Sequence, residues 1–209
     1  MLHEKAADAN TRRVLDQLMQ DSRFKDFHLC GGTCLALLYG HRLSIDIDLF
    51  TKTVFDKSEL KSNLQDLFED FKEEFSPASI FYFCYLNQVK SDFIYSRPKV
   101  ISPFVEIEGI RMWGIKDIIA MKLSAIYGRG SKKDFWDIDE LLNHFSIVEM
   151  VDLFFQKSPE AFEEGLMMSL LYFDDADQDK DPLIFNNRNW SGVKKRIEDE
   201  VYKNFKIRR

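Results

Sequence analysis

Residues 31–50 read Gly31-Gly32-Thr33-Cys34-Leu35-Ala36-Leu37-Leu38-Tyr39-Gly40-His41-Arg42-Leu43-Ser44-Ile45-Asp46-Ile47-Asp48-Leu49-Phe50. Phe24 to Cys30, just upstream, is short and apolar and predicts a strand. Gly31-Gly32 breaks it, Thr33 opens a short helix through Tyr39, and Gly40 stops that helix. Ile45 to Phe50 alternates in the two-residue rhythm of a second strand. Strand, glycine turn, short helix and returning strand predict an α/β start to the fold.

Asp46 and Asp48 lie two residues apart, so in a strand both point to the same side, while Ile45, Ile47 and Leu49 face the other. Two carboxylates fixed side by side repel each other unless a cation lies between them. A hard, oxygen-liking ion such as Mg²⁺ or Mn²⁺ suits such a pair. An isolated Asp-x-Asp is more often two ordinary surface acids. Gly31 and Gly32 change that balance. Glycines let the backbone approach an anion, and the helix that follows offers free N–H groups and the positive end of its dipole. Thr33 adds a hydroxyl that can donate to an anion or cap the helix.

Further along, Leu2 to Met19 has helical spacing, with Val14, Leu15 and Leu18 on one face. Asp56 to Phe75 reads as one amphipathic helix with Leu60, Leu64, Leu67, Phe68 and Phe71 inward. Ser79–Leu86, Lys90–Tyr95 and Phe104–Ile107 are rich in aromatic and β-branched residues and predict strands. The aromatics Phe81, Tyr82, Phe83 and Tyr85 are expected in the core and on the sheet face. Lys116–Tyr127, Asp134–His144, Ile147–Gln156, Pro159–Tyr172 and Gly192–Phe205 are helical in pattern, and 174–189 reads as an acidic, then Asn-rich loop. The expected division is 1–112, an α/β core whose mixed sheet is flanked by helices, and 113–209, a C-terminal helical bundle.

The 209 residues, 45% hydrophobic with 19 Phe, are ample for a packed core. A net charge of −6 argues against a broadly basic nucleic-acid face, although a local patch remains compatible with an RNA substrate. The basic end, Lys194-Lys195-Arg196 with Lys203, Lys206, Arg208 and Arg209, is expected to be a solvated helix face. Cys30, Cys34 and Cys84 are too few, and too poorly spaced, for a disulfide framework or a zinc site. Reduced thiols and the lack of a signal-like N-terminus or an apolar run of about 20 residues predict a cytoplasmic protein with no membrane segment. Asp175-x-Asp177-x-Asp179 lacks the glycine and the terminal Glu of a calcium loop.

Gly31-Gly32-Thr33 followed by His41-Arg42-x-Ser44-x-Asp46-x-Asp48-Leu49-Phe50 resembles the nucleotidyltransferase superfamily of DNA polymerase β, and within it the AbiEii/AbiGii toxin-like nucleotidyltransferases. Lys122-Leu-Ser-Ala-Ile-Tyr-Gly-Arg129 is similar to that family's Lys…Arg helix. Lys133-Asp134-Phe-Trp-Asp137 is similar to its Arg-Asp-x-x-Asp motif, with Lys133 where Arg is usual. The agreement runs from about residue 28 to 142.

The resemblance implies metal-dependent transfer of NMP from an NTP to an RNA or protein acceptor, with Mg²⁺ or Mn²⁺ as cofactor and pyrophosphate as the leaving group. It implies metal binding by Asp46, Asp48 and a third acid from a later strand. Asp92 in Val-Lys-Ser-Asp92-Phe-Ile-Tyr is preferred, with Glu106 and Glu108 as competitors. Gly31, Gly32 and Thr33 are then expected to hold the β- and γ-phosphates, and Arg42 to touch phosphate. Ser44 is expected to position the Asp strand. Lys122 and Arg129, two helical turns apart, are expected to reach phosphate or acceptor. Asp134 and Asp137, one turn apart at a helix start, are expected to belong to the nucleotide-binding set; Asp134 is equally well read as a helix cap, and Asp137 as the partner that orients Lys122 or Arg129. His41 is expected to be a partly exposed residue beyond the helix end. Possible partners are an acceptor tRNA or protein and a cognate antitoxin. The alternatives are an aminoglycoside-type, antibiotic-modifying nucleotidyltransferase and a non-catalytic nucleotide- or RNA-binding module.

Overall fold

A computed structural model describes residues 1–206. The chain forms two compact units, one of residues 1–97 and 103–113, the other of residues 98–102 and 114–209.

The first unit is built on a seven-stranded mixed sheet in the order β3-β4-β5-β2-β1-β7-β6. The strands are β1 (His28–Cys30), β2 (Ile47–Thr51), β3 (Phe71–Glu73), β4 (Phe81–Leu86), β5 (Val89–Tyr95), β6 (Val105–Ile107) and β7 (Ile110–Met112). β1 and β2 run antiparallel, whereas β2 and β5 run parallel. The helices are α1 (Ala9–Gln20), α2 (Gly31–Tyr39) and α3 (Lys57–Leu67). α2 is apolar nearly all round, with Thr33, Cys34, Leu35, Ala36 and Leu37 buried, as befits a short helix enclosed by its own domain. Gly40 ends it in the left-handed conformation, φ +67°, and a side chain there would meet the His3 ring. Trp113, Tyr82, Phe24, Phe68 and Phe93 are among the fully buried side chains of this unit. Each contributes about 1.5–3 kcal/mol by leaving water. All three cysteines are buried.

Several elements differ from the sequence reading, for identifiable reasons. The predicted first helix is a 3₁₀ turn (Glu4–Ala6) followed by α1, because Asp8 stops the chain and caps α1 by accepting from the Asn10 and Thr11 N–H groups. The helix expected to reach Phe75 ends at Leu67, and Phe71 belongs to β3. There the backbone pairs with β4, Phe71 opposite Leu86, and that ladder outweighs the helical spacing of the apolar residues. β1 is only three residues long because Ser22–Phe24 forms a 3₁₀ turn. β7 adds a short strand that pairs with both β6 and β1. Ile45, expected on the buried side, is exposed because β2 begins only at Ile47.

The second unit is helical: α4 (Ile115–Gly128), α5 (Lys132–Leu141), α6 (Ile147–Lys157), α7 (Glu163–Leu171), α8 (Asp174–Gln178) and α9 (Trp190–Asn204). α8 lies in the stretch read as a loop. Its Asp177 accepts from the Trp190 indole N–H at 2.5 Å and pairs with Lys194 at 2.9 Å, which accounts for an acid of the discounted calcium pattern. Lys194 and Arg196 of the basic end are taken up by Asp177 and Asp139, while Arg208 and Arg209 lie outside the described residues. Among the described residues no helix is long and apolar enough to cross a membrane.

Candidate active site

The alternation of β2 decides the chemistry of its surface. Ile47, Leu49 and Thr51 are buried, and Asp48 and Phe50 lie on the half-open face. Asp46, one residue before the strand, shares that face. The parallel pairing of β2 with β5 sets Asp48 directly beside Asp92. The two carboxylates are neighbours because of register alone. Of the competing acids, Glu106 lies on β6, with β1 and β7 between it and β2. Glu108 sits in the β6–β7 turn with φ +51°, its carboxylate accepting from the Leu2 N–H.

On the other flank of Asp48, Cys30 is its cross-strand partner on β1, and Gly31 follows at once. α2 begins at Gly31 rather than at Thr33, with Cys30 in the capping position. Gly31 has φ +68°, and a methyl group there would overlap the Asp48 carboxylate, coming within 2.9 Å of its carbon. Only glycine brings the start of α2 this close to the acid. Gly31 and Gly32 are both half-exposed.

Thr33 does not face outward. Its side chain is fully buried; its hydroxyl donates to the Asp46 carbonyl oxygen and shares a 2.8 Å hydrogen bond with the Ser44 hydroxyl. Thr33 thus ties Ser44 and the Asp46 backbone together. The Thr11 hydroxyl adds a bond to the Ile45 carbonyl at 3.1 Å. Arg42, expected at phosphate, is 2% exposed and donates to the Leu43 carbonyl. His41, expected at the surface, is buried too. Both sit where the chain turns back from α2 toward β2, and the turn packs inward.

Asp92 has a buried oxygen, Oδ1, without a hydrogen-bond partner, while Oδ2 accepts from the Lys90 ammonium at 3.2 Å. Burial pushes its carboxyl above the ordinary aspartate value despite Lys90. Burial acts to lower Lys90, but Asp92, Asp46 and Asp48 outweigh it and hold the ammonium above its ordinary value. The sequence reading passed over Lys90. Its signal was the Lys-x-Asp spacing in a strand, which places both residues on one face. Three acids of oxygen-donor type, one with an unsatisfied buried oxygen, fit a divalent cation. Among the described residues, however, no three potential ligands converge closely enough to enclose an ion as the side chains stand.

In the helical unit, Lys122 is buried on α4 and pairs with Asp134 at 2.9 Å and Asp137 at 2.7 Å, both from the start of α5. Asp134 also accepts from the Ser131 hydroxyl at 2.5 Å and from the Ser131 N–H, so it caps α5 and binds Lys122 at once. Burial pushes its carboxyl up, but Lys122 and Ser131 hold it below the ordinary aspartate value. Arg129 is exposed, its Nε 3.9 Å from Asp134. Asp137 is fully buried and pairs with Lys122.

Residues 13–204 match the model of the family described as nucleotidyl transferase AbiEii toxin, type IV TA system. An uncharacterized protein of Aquifex aeolicus is 33% identical over 171 residues, covering 79% of this chain and 82% of that protein. In fold, the chain is similar to MenT4, a nucleotidyltransferase toxin from Mycobacterium tuberculosis, with a TM-score of 0.60 and 11% identity over 94% of this chain and 84% of that one. It is also similar to JHP933 from Helicobacter pylori, with a TM-score of 0.58 and 19% identity over 97% and 93% of the two chains.

Proposed function

Because the chain belongs to the AbiEii family of nucleotidyl transferase toxins, we propose that its half-open sheet face is a metal-dependent site for transferring NMP from an NTP to an acceptor hydroxyl. Nucleotidyl transfer in a toxin–antitoxin setting is what the family carries. The observation that carries the proposal is the Asp48–Asp92 register pair with Gly31 packed against Asp48.

In this reading the half-exposed N–H groups of Gly31 and Gly32, at the positive end of α2, hold the β- and γ-phosphates. Asp46, Asp48 and Asp92 would hold the divalent ions, Mg²⁺ or Mn²⁺. Such ions neutralise triphosphate charge and lower the pKa of an attacking hydroxyl. Thr33 and Ser44 are positioning residues, since their bonds to each other and to the Asp46 carbonyl keep that carboxylate in place. The acceptor oxygen forms a bond to the α-phosphorus, the bond from that phosphorus to the α,β-bridging oxygen breaks, and pyrophosphate leaves. The acceptor proton passes to solvent. The work of the protein is positioning and charge neutralisation. The helical unit carries Lys122, a cation pinned by two buried acids, and Arg129, an exposed one.

The acceptor is RNA or protein. Supplying each of the four NTPs, labelled at the α-phosphate, with total tRNA, with protein extract and with an aminoglycoside separates the possibilities. Label in the tRNA or protein fraction supports this reading. Label in the aminoglycoside alone replaces it with the antibiotic-modifying one. Stabilisation by nucleotide that ignores Mg²⁺, with no label moved, replaces it with a binding module.

A further inference from the structure

Lys90 and Asp92 lie two residues apart on one face of β5, and Lys90 follows Val89 at the very start of that strand. Register places Ser91 beside Ile47 and Asp92 beside Asp48, so one step back along both strands Lys90 is level with Asp46. The ammonium therefore stands among three acids. It contacts Asp92 Oδ2 at 3.2 Å and lies within the electrostatic reach of Asp46 and Asp48. Its side chain is 42% exposed, whereas that of Asp92 is 13% exposed. A half-exposed lysine on a four-carbon stem can swing into water at little cost; the buried carboxylate cannot.

These observations have one electrostatic consequence. Neighbouring carboxylates are stabilised by positive charge beside them, and the Lys90 ammonium contributes such charge at Asp92. The unsatisfied Asp92 Oδ1 leaves a donor ready on the buried side.

We infer that Lys90 is a resident counter-ion at the Asp46, Asp48 and Asp92 site, paired with Asp92, and that a divalent ion enters by displacing its ammonium from Asp92. This rests on the metal role proposed above. It makes Lys90 a positioning residue that sets metal affinity: the charge it contributes must be moved aside before the acids can close on an ion. In the absence of metal the same charge keeps the acids from repelling one another.

The test is Mn²⁺ binding to the nucleotide-free protein, with free Mn²⁺ counted by electron paramagnetic resonance and Tm recorded in EDTA and in Mn²⁺. Lys90→Met and Lys90→Gln are compared with Lys90→Arg, with Asp48→Ala and with Lys72→Met. Lys72 is a nearby control, because its ammonium lies 5.7 Å over the Tyr85 ring. Removing the competing charge is expected to tighten Mn²⁺ binding about tenfold or more in Lys90→Met and Lys90→Gln. Their Tm is expected to fall in EDTA and to rise more than that of the wild type when Mn²⁺ is added. Lys90→Arg is expected to bind no more tightly than wild type, and Lys72→Met to match it. If the wild type binds Mn²⁺ and loses it in Asp48→Ala, yet neither neutral Lys90 variant binds more tightly, the inference is overturned and the metal reading stands. If wild type and neutral variants alike bind no Mn²⁺, the metal reading falls and takes this inference with it.

Discussion

Asp48 and Asp92 stand side by side on two parallel strands, paired residue to residue. Because burial holds the Asp92 carboxyl above its ordinary value, ionising it in the folded protein lowers stability at neutral pH. For an acid raised in this way, the penalty applies above the folded value and disappears as pH falls below the unfolded value, about 3.9. Asp92→Asn is therefore expected to melt above wild type at pH 7, with the gap closing toward pH 4, while nucleotidyl transfer is lost. A thermal-melt series across that range, beside a transfer assay, checks both halves. A variant that melts below wild type at pH 7 contradicts the electrostatic account.

Gly31 is required for two separable reasons. Its φ of +68° disfavours any side chain by about 1–2 kcal/mol, and a methyl group would collide with the Asp48 carboxylate. Gly31→Ala is expected to lower stability by that modest amount and transfer by roughly a hundredfold or more. Denaturant midpoints and single-turnover rates measure the two effects. Loss of stability with an unchanged rate would show that nothing catalytic lies at this turn.

The Lys122–Asp134–Asp137 cluster is buried, so its integrity has a measurable energy. Lys122→Met leaves two buried carboxylates without their cation and is expected to lower stability by about 3–5 kcal/mol. Adding Asp137→Asn to that variant is expected to recover part of the loss. Asp134 is held below its ordinary value, so its contribution is present above the unfolded aspartate value and disappears as pH falls through the lower folded one. Acid melts of wild type and Asp134→Asn are thus expected to converge at low pH. Equal stability of Lys122→Met and wild type at pH 7 would contradict the packing.

Asp117 and Lys157 form a second buried pair, 2.7 Å apart, and Asp117 also accepts from the Ile101 and Ser102 N–H groups. This ties residues 98–102 to the helical unit. Asp117→Ala is expected to lower stability by about 3–5 kcal/mol and to expose the Lys99–Val100 bond to trypsin. Limited proteolysis at native pH reads the second effect, and unchanged cleavage would contradict the tie.

The parts of the fold visible in the sequence are those set by local pattern. The Gly31-Gly32 break, the stop at Gly40 and the alternation that puts Asp46 and Asp48 on one face follow from residue type alone. Asp92 was legible as a lone acid in an apolar strand, but its place beside Asp48 depends on strand order, which no local pattern encodes. β3 was hidden because Phe68 and Phe71 continue a helical spacing, and only pairing with β4 decides against it. Thr33, His41 and Arg42 read as surface or ligand groups because their types are polar. Their burial follows from how the 40–46 turn packs, a tertiary effect. Lys90 was overlooked because a lysine in a strand is usually solvent-facing, and its meaning comes from the acids on the next strand.

The central claim is that the Asp46–Asp48–Asp92 face transfers a nucleotide. The most direct measurement is transfer of α-phosphate label from an NTP to tRNA or protein by wild type and by Asp48→Ala, each with Mg²⁺ and with EDTA, with both proteins confirmed as folded. The account predicts label on an acceptor and release of pyrophosphate by wild type with Mg²⁺ only, reduced by about a thousandfold in Asp48→Ala. Label transfer by Asp48→Ala equal to that of wild type, or no label moved by wild type to either class of acceptor with any NTP, would contradict it.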